Sequence, residues 1–366
     1  MRKLDRIQVE NFKSIRSLDL ALNALNVFIG ANGSGKSNFI GIFKFLNKII
    51  NKQLQVYTGE SGGADALLHY GRKRSNHLSV KLSFADRTNG YDFVLVPTAE
   101  DRFIFLEEYV WFHDRSQYEQ PYRESLGSGH SEAKLPDYAE GRVSRVAQHI
   151  IGDLKRWKLY HFHDTSDSAK VKQTGDISDG ILLHPDAGNL AAFLYRLRAT
   201  HPQHYRNIVD TIRLVAPFFE VFHLEPSPSN QQKIMLEWKE VGSDKYFSAS
   251  SLSDGTLRFM CLTTLLLQPQ LPSVVILDEP ELGLHPYAIA LLANLLRAAA
   301  EQTQVVVATQ SVTLVNQFQP SQVLVVERTD DGQSVFRHLQ EADMRDWIDE
   351  FGLGDLWEKN IIGGRP

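Results

Sequence analysis

The chain of 366 residues is 43% hydrophobic and 23% charged, the balance of a globular protein with room for one large domain or two modest lobes. A formal net charge of -5 argues against a generally basic, nucleic-acid-coating surface, although it leaves room for a local basic groove. The single cysteine, Cys261, excludes an intramolecular disulfide framework. Residues 1–20 do not read as a signal peptide, and no apolar run is long enough for a membrane span, so a cytoplasmic location is expected.

Ile7-Gln8-Val9 begins a first strand. Leu25-Asn26-Val27-Phe28-Ile29 forms a second that runs directly into Gly30-Ala31-Asn32-Gly33-Ser34-Gly35-Lys36-Ser37. Over 38–50, Phe39, Ile42, Phe43, Leu46 and Ile49 recur at helical spacing with one apolar stripe. Residues 59–135 change character: alternating stretches at 77–84 and 91–95 predict antiparallel strands, and 125–131 reads as a mobile loop. Residues 141–158 and 189–217 read as helical, with a hairpin after them at 219–224 and 233–238 around Pro226-Ser227-Pro228-Ser229-Asn230. The last third is regular α/β. Ser253 caps a helix that Pro269 ends, 274–277 is a buried strand, Pro286 opens a helix to about Gln302, and further strands lie at 305–309 and 323–326.

Strand, glycine loop and helix together are the setting a phosphate-binding loop requires. The glycines let the backbone wrap closely, and the amides of residues 32–37 with the following helix N-terminus supply donors to a triphosphate. Lys36 is then expected to reach the β- and γ-phosphates, and the Ser37 hydroxyl to ligate Mg²⁺. Asp278 stands where a buried strand emerges, the usual place for a second Mg²⁺ contact, and Glu279 is the candidate general base for the attacking water. Glu281 reads equally well as an acid near the start of the following helix. Ser253, taken alone, is simply a good helix cap.

The order of phosphate loop, Leu252-Ser253-Asp254-Gly255-Thr256 and apolar strand with Asp278-Glu279 resembles the ABC-type ATPases. That resemblance implies that Ser253 and Gly255 contact the γ-phosphate held by an opposing protomer. Asn32, Gly33 and Asn38, with the opening Val9-Glu10-Asn11-Phe12-Lys13-Ser14, resemble the RecF, SMC and OLD branch, in which Asn11 and Lys13 would lie near the nucleotide. No long heptad pattern separates the motifs, so the compact insertion is more like RecF than SMC. Tyr160-His161-Phe162-His163-Asp164-Thr165-Ser166, the 186–190 and 278–286 segments and the 356–366 tail resemble a bacterial group of RecF-like AAA-family predicted ATPases. Where many ABC ATPases carry a switch histidine, this chain has Gln310, which hydrogen-bonds but has no proton to titrate near neutral pH. The lobe-coupling glutamine of that superfamily has no clear counterpart here.

The expected architecture is α/β: an ABC-type P-loop NTPase head with a mixed central sheet, an antiparallel β subdomain and a helical insertion lobe. Residues 1–58 would carry the phosphate loop, 59–140 the antiparallel part, 141–240 the helical lobe and hairpin, and 241–366 the signature, acidic strand and switch segment. The resemblance implies an ATP- and Mg²⁺-dependent homodimer in DNA repair or genome maintenance. An alternative is an ATPase sensor that partners a separate nuclease effector in an anti-phage or toxin-like system. A transporter motor is disfavoured by Asp254, Thr256, Asn38 and Gln310, and a GTPase by the absence of an Asn-Lys-x-Asp segment. His161 and His163 share a face if extended, which admits a metal pair but favours packing. The basic runs Arg72-Lys73-Arg74 and Lys155-Arg156-Trp157-Lys158 read as surface charge first and phosphate contacts second. Cys261 reads as a small core residue, and the tail as a seal on the domain.

Overall fold

The computed structural model describes residues 3–340, 344 and 351–364. The chain opens with β1 (Leu4–Phe12), β2 (Ile15–Ala21), β3 (Leu25–Ile29), α1 (Lys36–Ile50), α2 (Leu54–Glu60) and α3 (Ala64–Leu67). It continues through β4 (Leu78–Phe84), β5 (Asn89–Pro97), β6 (Phe103–Phe112), β7 (Tyr122–Gly127), α4 (Leu135–Glu140), α5 (Arg145–Leu154) and β8 (Trp157–Tyr160). A middle lobe follows: β9 (Gly175–Asp176), α6 (Leu190–Thr200), α7 (Pro202–Val215), β10 (Phe219–His223), β11 (Lys233–Ile234), β12 (Glu237–Glu240) and β13 (Tyr246–Ser248). The last third is α8 (Asp254–Leu267), β14 (Val274–Asp278), α9 (Pro286–Gln302), β15 (Gln304–Ala308), α10 (Val312–Val315), β16 (Val323–Arg328), β17 (Ser334–His338) and α11 (Leu353–Glu358).

Two six-stranded sheets organise these elements. One is antiparallel in the order β2-β1-β4-β5-β6-β7, and the other is mixed in the order β17-β16-β3-β15-β14-β8. The inner strands of the mixed sheet are parallel and only β17 runs against them. Strands buried on both faces read as continuous apolar runs, and here the two faces feed two different cores. Val27, Val275, Leu277, Val305, Val307 and Val325 face the core shared with α6–α9. Phe28, Val274, Ile276, Val306, Ala308, Leu324 and Val326 face the core shared with α1 and the antiparallel sheet. The helix α1 lies in that second core, where Phe28 meets Phe39 at 4.4 Å between ring centroids, Phe12 meets Phe45 at 5.5 Å and Phe43 meets Trp157 at 5.4 Å. Burying each such ring contributes about 1.5–3 kcal/mol. The helix that follows the glycine loop is thus fixed by its aromatic stripe.

Polar groups tie the sheets at their starts. Buried Gln304, the first residue of β15, accepts from Leu4 N at 3.1 Å and donates to the carbonyls of Leu4 and Asn23, each at 2.9 Å. Buried Asn26 in β3 closes its own turn, accepting from Asn23 N at 2.8 Å and donating to Asn23 O at 2.7 Å.

Several local expectations change. The helix expected through residue 158 stops at Leu154, because Trp157 and Tyr160 bury on opposite cores and the segment 157–160 pairs in parallel with β14. Residues 189–217 divide at Pro202, which lacks the N–H to continue α6 but suits the first turn of α7. The expected hairpin is split: β10 pairs with β12, whereas β11 pairs with β9. Residues 125–127, expected in a loop, belong to β7. The N-terminal strands β1 and β2 belong to the antiparallel sheet with β4–β7, so that sheet draws on both the 1–58 and 59–140 segments.

Candidate nucleotide site

The glycine loop joins β3 to α1, and three of its residues, Gly30, Gly33 and Gly35, have φ of 153°, 76° and 118°. A Cβ on Gly30 would lie 2.2 Å from the Val326 carbonyl oxygen, and one on Gly35 2.1 Å from the Ser334 hydroxyl. Both positions therefore require glycine for conformation and for space. The loop rests on a small hydroxyl and amide network. Asn38 Nδ2 donates to Ser14 Oγ at 2.7 Å, Ser14 Oγ lies 2.7 Å from Ser334 Oγ, and Ser334 Oγ donates to Ser34 O at 2.6 Å. Asn38 thus helps to brace the loop from the β1–β2 turn.

Lys36 is buried, with its ammonium donating to Gly30 O and to Ala31 O, the latter at 3.0 Å. Burial lowers its pKa, while Glu279, Asp278 and Glu281 pull the other way. A cavity of about 130 Å³ is bounded by Asn32, Gly33, Gly35, Lys36, Ser37, Asn38 and Gln310. The loop and the expected switch residue therefore share one concavity.

Across the mixed sheet, β14 lies beside β15, so Asp278 and Glu279 sit next to the Thr309-Gln310 segment. Glu279 adopts φ of 43°, a left-handed conformation uncommon for a non-glycine residue, and its N–H donates to Ala308 O at 2.8 Å. Such backbone outliers cluster at functional sites and cost about 1–3 kcal/mol. The Gln310 amide donates to the Glu279 carboxylate. The Asp278 carboxyl is raised by burial and by the charge of Glu279, with His163 and Lys36 opposing.

Three further residues pack against this site, of which the sequence singled out Glu281 and His163 without these partners. Glu281 is buried, accepts from the Thr309 hydroxyl, and has a second carboxylate oxygen without a hydrogen-bond partner. Burial raises its pKa, against the Thr309 hydroxyl. His163 Nε2 donates to the Asp278 carbonyl at 2.8 Å, placing the segment after β8 against the acidic strand. Arg258 of α8, also buried, donates to Phe162 O at 3.0 Å, His163 O at 3.2 Å and Leu282 O. Helical spacing predicts none of these contacts, although Arg258 stands out in the sequence as a charged residue on an apolar helix.

Ser253 caps α8, accepting from Thr256 N at 3.2 Å, and it is exposed. A Cβ on Gly255 would lie 2.3 Å from Gly283 O, so glycine lets α8 pack on the loop after the acidic strand. Asn11 and Lys13 shape the β1–β2 turn with φ of 60° and 50°. The Asn11 side chain accepts from Ser75 Oγ at 3.3 Å, and the Lys13 carbonyl lies 2.7 Å from His69 Nδ1. His161 and His163 have ring centroids 6.2 Å apart, and among the described residues no three His, Cys, Asp or Glu side chains converge on a metal-sized site. Cys261 is buried in α8, its thiol pushed up to about 12 by desolvation.

Residues 25–316 match the family model described as "AAA domain, putative AbiEii toxin, Type IV TA system". The chain belongs to this AAA-domain family. Its two-sheet head, with the glycine loop after β3 and the acidic residues at the end of β14, has the P-loop ATPase fold seen in SMC head domains. Among solved structures, the chain is similar to an Smc head bound to the C-winged helix domain of ScpA. That match has a TM-score of 0.60 and 16% identity and covers 93% of this chain and 99% of the other. It is also similar to the Pyrococcus furiosus Smc head domain with an extended coiled coil bound to the C-terminal domain of ScpA, with a TM-score of 0.59, 13% identity and 96% and 99% covered. At these identities the likeness concerns the fold. No curated protein matches the chain in sequence. No helix among the described residues is long and apolar enough to cross a membrane.

The tail closes this head. Trp357 is fully buried, its indole N–H donates to Gly364 O, and Gly364 N donates to Glu327 at 2.9 Å. Arg365 and Pro366 of the tail lie outside the described residues.

Proposed function

We propose that the protein is a Mg²⁺-dependent ATPase whose two copies close head-to-tail around two nucleotides. The observation that carries this reading is the division of the site. Gln310 shares the loop cavity with Lys36 and Ser37, whereas exposed Ser253 does not line that cavity and, among the described residues, hydrogen-bonds within its own helix. A second copy can bring the Ser253 hydroxyl, the Gly255 backbone and the positive end of α8 to the γ-phosphate.

The donor set suits magnesium. The Ser37 hydroxyl opens α1 and the Asp278 carboxylate ends β14, while Asp278, Glu279 and Glu281 outnumber Lys36 as charges at the site. Such an ion, held by the Ser37 hydroxyl and the Asp278 carboxylate, would supply positive charge that offsets the phosphates. Lys36 would leave its loop carbonyls for the phosphates, and the amides of 32–37 would hold the nucleotide. Asn11 and Lys13 stand near it only by family resemblance, since the Lys13 N–H donates to Leu67 O at 2.8 Å. Glu279 takes a proton from the attacking water once Gln310 releases its carboxylate or turns with it toward the γ-phosphate. The hydrogen bond between these two side chains fits a slow basal turnover that a partner or DNA accelerates.

A cross-complementation assay tests the pairing. Lys36→Ala and Ser253→Arg proteins should each be inactive alone, and mixing them should restore turnover, because one mixed site holds an intact Lys36 and an intact Ser253. Mixtures as inactive as the separate proteins would refute the shared site.

For the process served, the likeness of the head to SMC heads supports a reading in genome maintenance, and the toxin and toxin–antitoxin wording of the family description supports a cytosolic ATPase sensor for a separate effector. Turnover measured with single-stranded, duplex and junction DNA at two salt concentrations separates them. Stimulation by DNA supports the first, and a rate indifferent to every DNA supports the second.

A further inference from the structure

The β8 end of the mixed sheet is open. As the terminal strand, β8 pairs only with β14. Among the described residues no strand covers its outer side, and the chain closes over it only at its end, where His161 N donates to Pro185 O at 2.9 Å. An exposed edge of this kind presents unpaired N–H and C=O groups to any extended chain.

A groove of about 300 Å³ lies beside this edge, between α1 and the β8 end of the sheet, and reaches Ile276 of β14. Its floor is apolar, with Phe43 and Trp157, both buried, contributing their packed rings. Its rim is basic: Lys44 and Lys48 from α1 and Lys158 from β8 line it with His161, and no carboxylate does. Lys48 donates to the neutral Gln53 side chain at 3.0 Å. Lys44 and Lys158 form no ion pair among the described residues. In a chain of net charge -5 this is a local excess of positive charge beside a strand that lacks a neighbour.

We propose that this groove receives an extended, acidic segment of a partner protein, added as a further strand on β8. Three features converge on that occupant. The open edge supplies main-chain hydrogen bonds, the Phe43–Trp157 floor takes apolar side chains on one face of the incoming strand, and the lysines take carboxylates flanking them. Nucleic acid would satisfy the lysines alone, offering neither a peptide ladder nor aliphatic side chains for the floor. Lys44, Lys48 and Lys158 do not line the loop cavity, so the proposal stands apart from the ATPase reading.

The test uses the full chain and a short fluorescein-labelled peptide alternating Val and Glu, followed by anisotropy. The peptide should bind, its Val-Lys counterpart should not, and a Val-Glu peptide N-methylated on alternate residues should lose at least about tenfold in affinity because its ladder is broken. Lys44→Glu with Lys158→Glu should weaken binding by about tenfold or more, and the milder Lys44→Gln with Lys158→Gln by less, with both proteins folded by circular dichroism. Absence of binding, equal affinity for the N-methylated peptide, or indifference to both lysine pairs would overturn the proposal. So would a short DNA duplex that displaces the peptide with the same lysine dependence, since that would make the groove a nucleic-acid site.

Discussion

Glu108 and Glu281 are both buried carboxylates, and they differ in how completely they are satisfied. Glu108, on β6 in the antiparallel sheet, is fully buried and accepts from Tyr91 Oη at 2.8 Å, His130 Nε2 at 2.8 Å, Lys134 N at 2.9 Å and Leu135 N at 3.1 Å. Glu281, beside the acidic strand, accepts from the Thr309 hydroxyl and leaves one oxygen unpartnered. A buried charge is tolerated when its lone pairs are filled, and a half-filled one marks a place where stability has been given up. The antiparallel region uses its buried acid to hold α4 to the sheet. The mixed-sheet region gathers three acids around one buried lysine, an arrangement better suited to a polyvalent ligand than to an empty core.

The largest expected effect is on Glu108. Glu108→Ala leaves four donors without their acceptor and should cost about 3–5 kcal/mol, read as a fall in Tm that Mg-ATP does not restore. A Tm near wild type would show that the antiparallel region does not depend on this acid. Glu279→Gln should leave the Tm nearly unchanged while lowering turnover by about 10²–10⁴-fold, separating the chemistry of one region from the stability of the other.

Gly255→Ala is expected to be intermediate. Its Cβ meets Gly283 O, and pushing α8 off that loop should cost about 1–3 kcal/mol, measured by denaturant unfolding. The smallest effect belongs to Glu281. Its folded pKa is raised, so the group favours the folded state below the unfolded carboxylate pKa and loses that contribution as pH rises through its folded pKa. Stability of the wild type should therefore decline over that window. Glu281→Gln should flatten the decline and be neutral or slightly stabilising at neutral pH, as followed by Tm against pH. A strongly destabilised Glu281→Gln protein would mean that the carboxylate is as structurally committed as Glu108.

The legible parts of this molecule were those set by local chemistry. The loop at 30–37, the cap at Ser253 and the helix from Pro286 each depend on a few adjacent residues, and their boundaries agree closely with the structure. Parts set by distant partners were less legible. The segment 157–160 resembles a helix end in isolation and becomes a strand because β14 offers it an edge. Glu281 looks like a first-turn acid until β15 brings Thr309 beside it, and His163 gains a role only when the end of β8 is laid against Asp278. Asn38 follows the loop in sequence, yet its amide is engaged by Ser14 from the first hairpin. Such contacts between residues far apart in the chain leave no periodicity to read.

Whether two copies complete each other's site around ATP is read from the mass of the Glu279→Gln protein in solution, measured by light scattering with and without excess Mg-ATP. The protein should be a monomer without nucleotide and a stable dimer with it, and a Lys36→Ala protein should stay monomeric throughout. A Glu279→Gln protein that remains a monomer in saturating Mg-ATP would contradict this pairing.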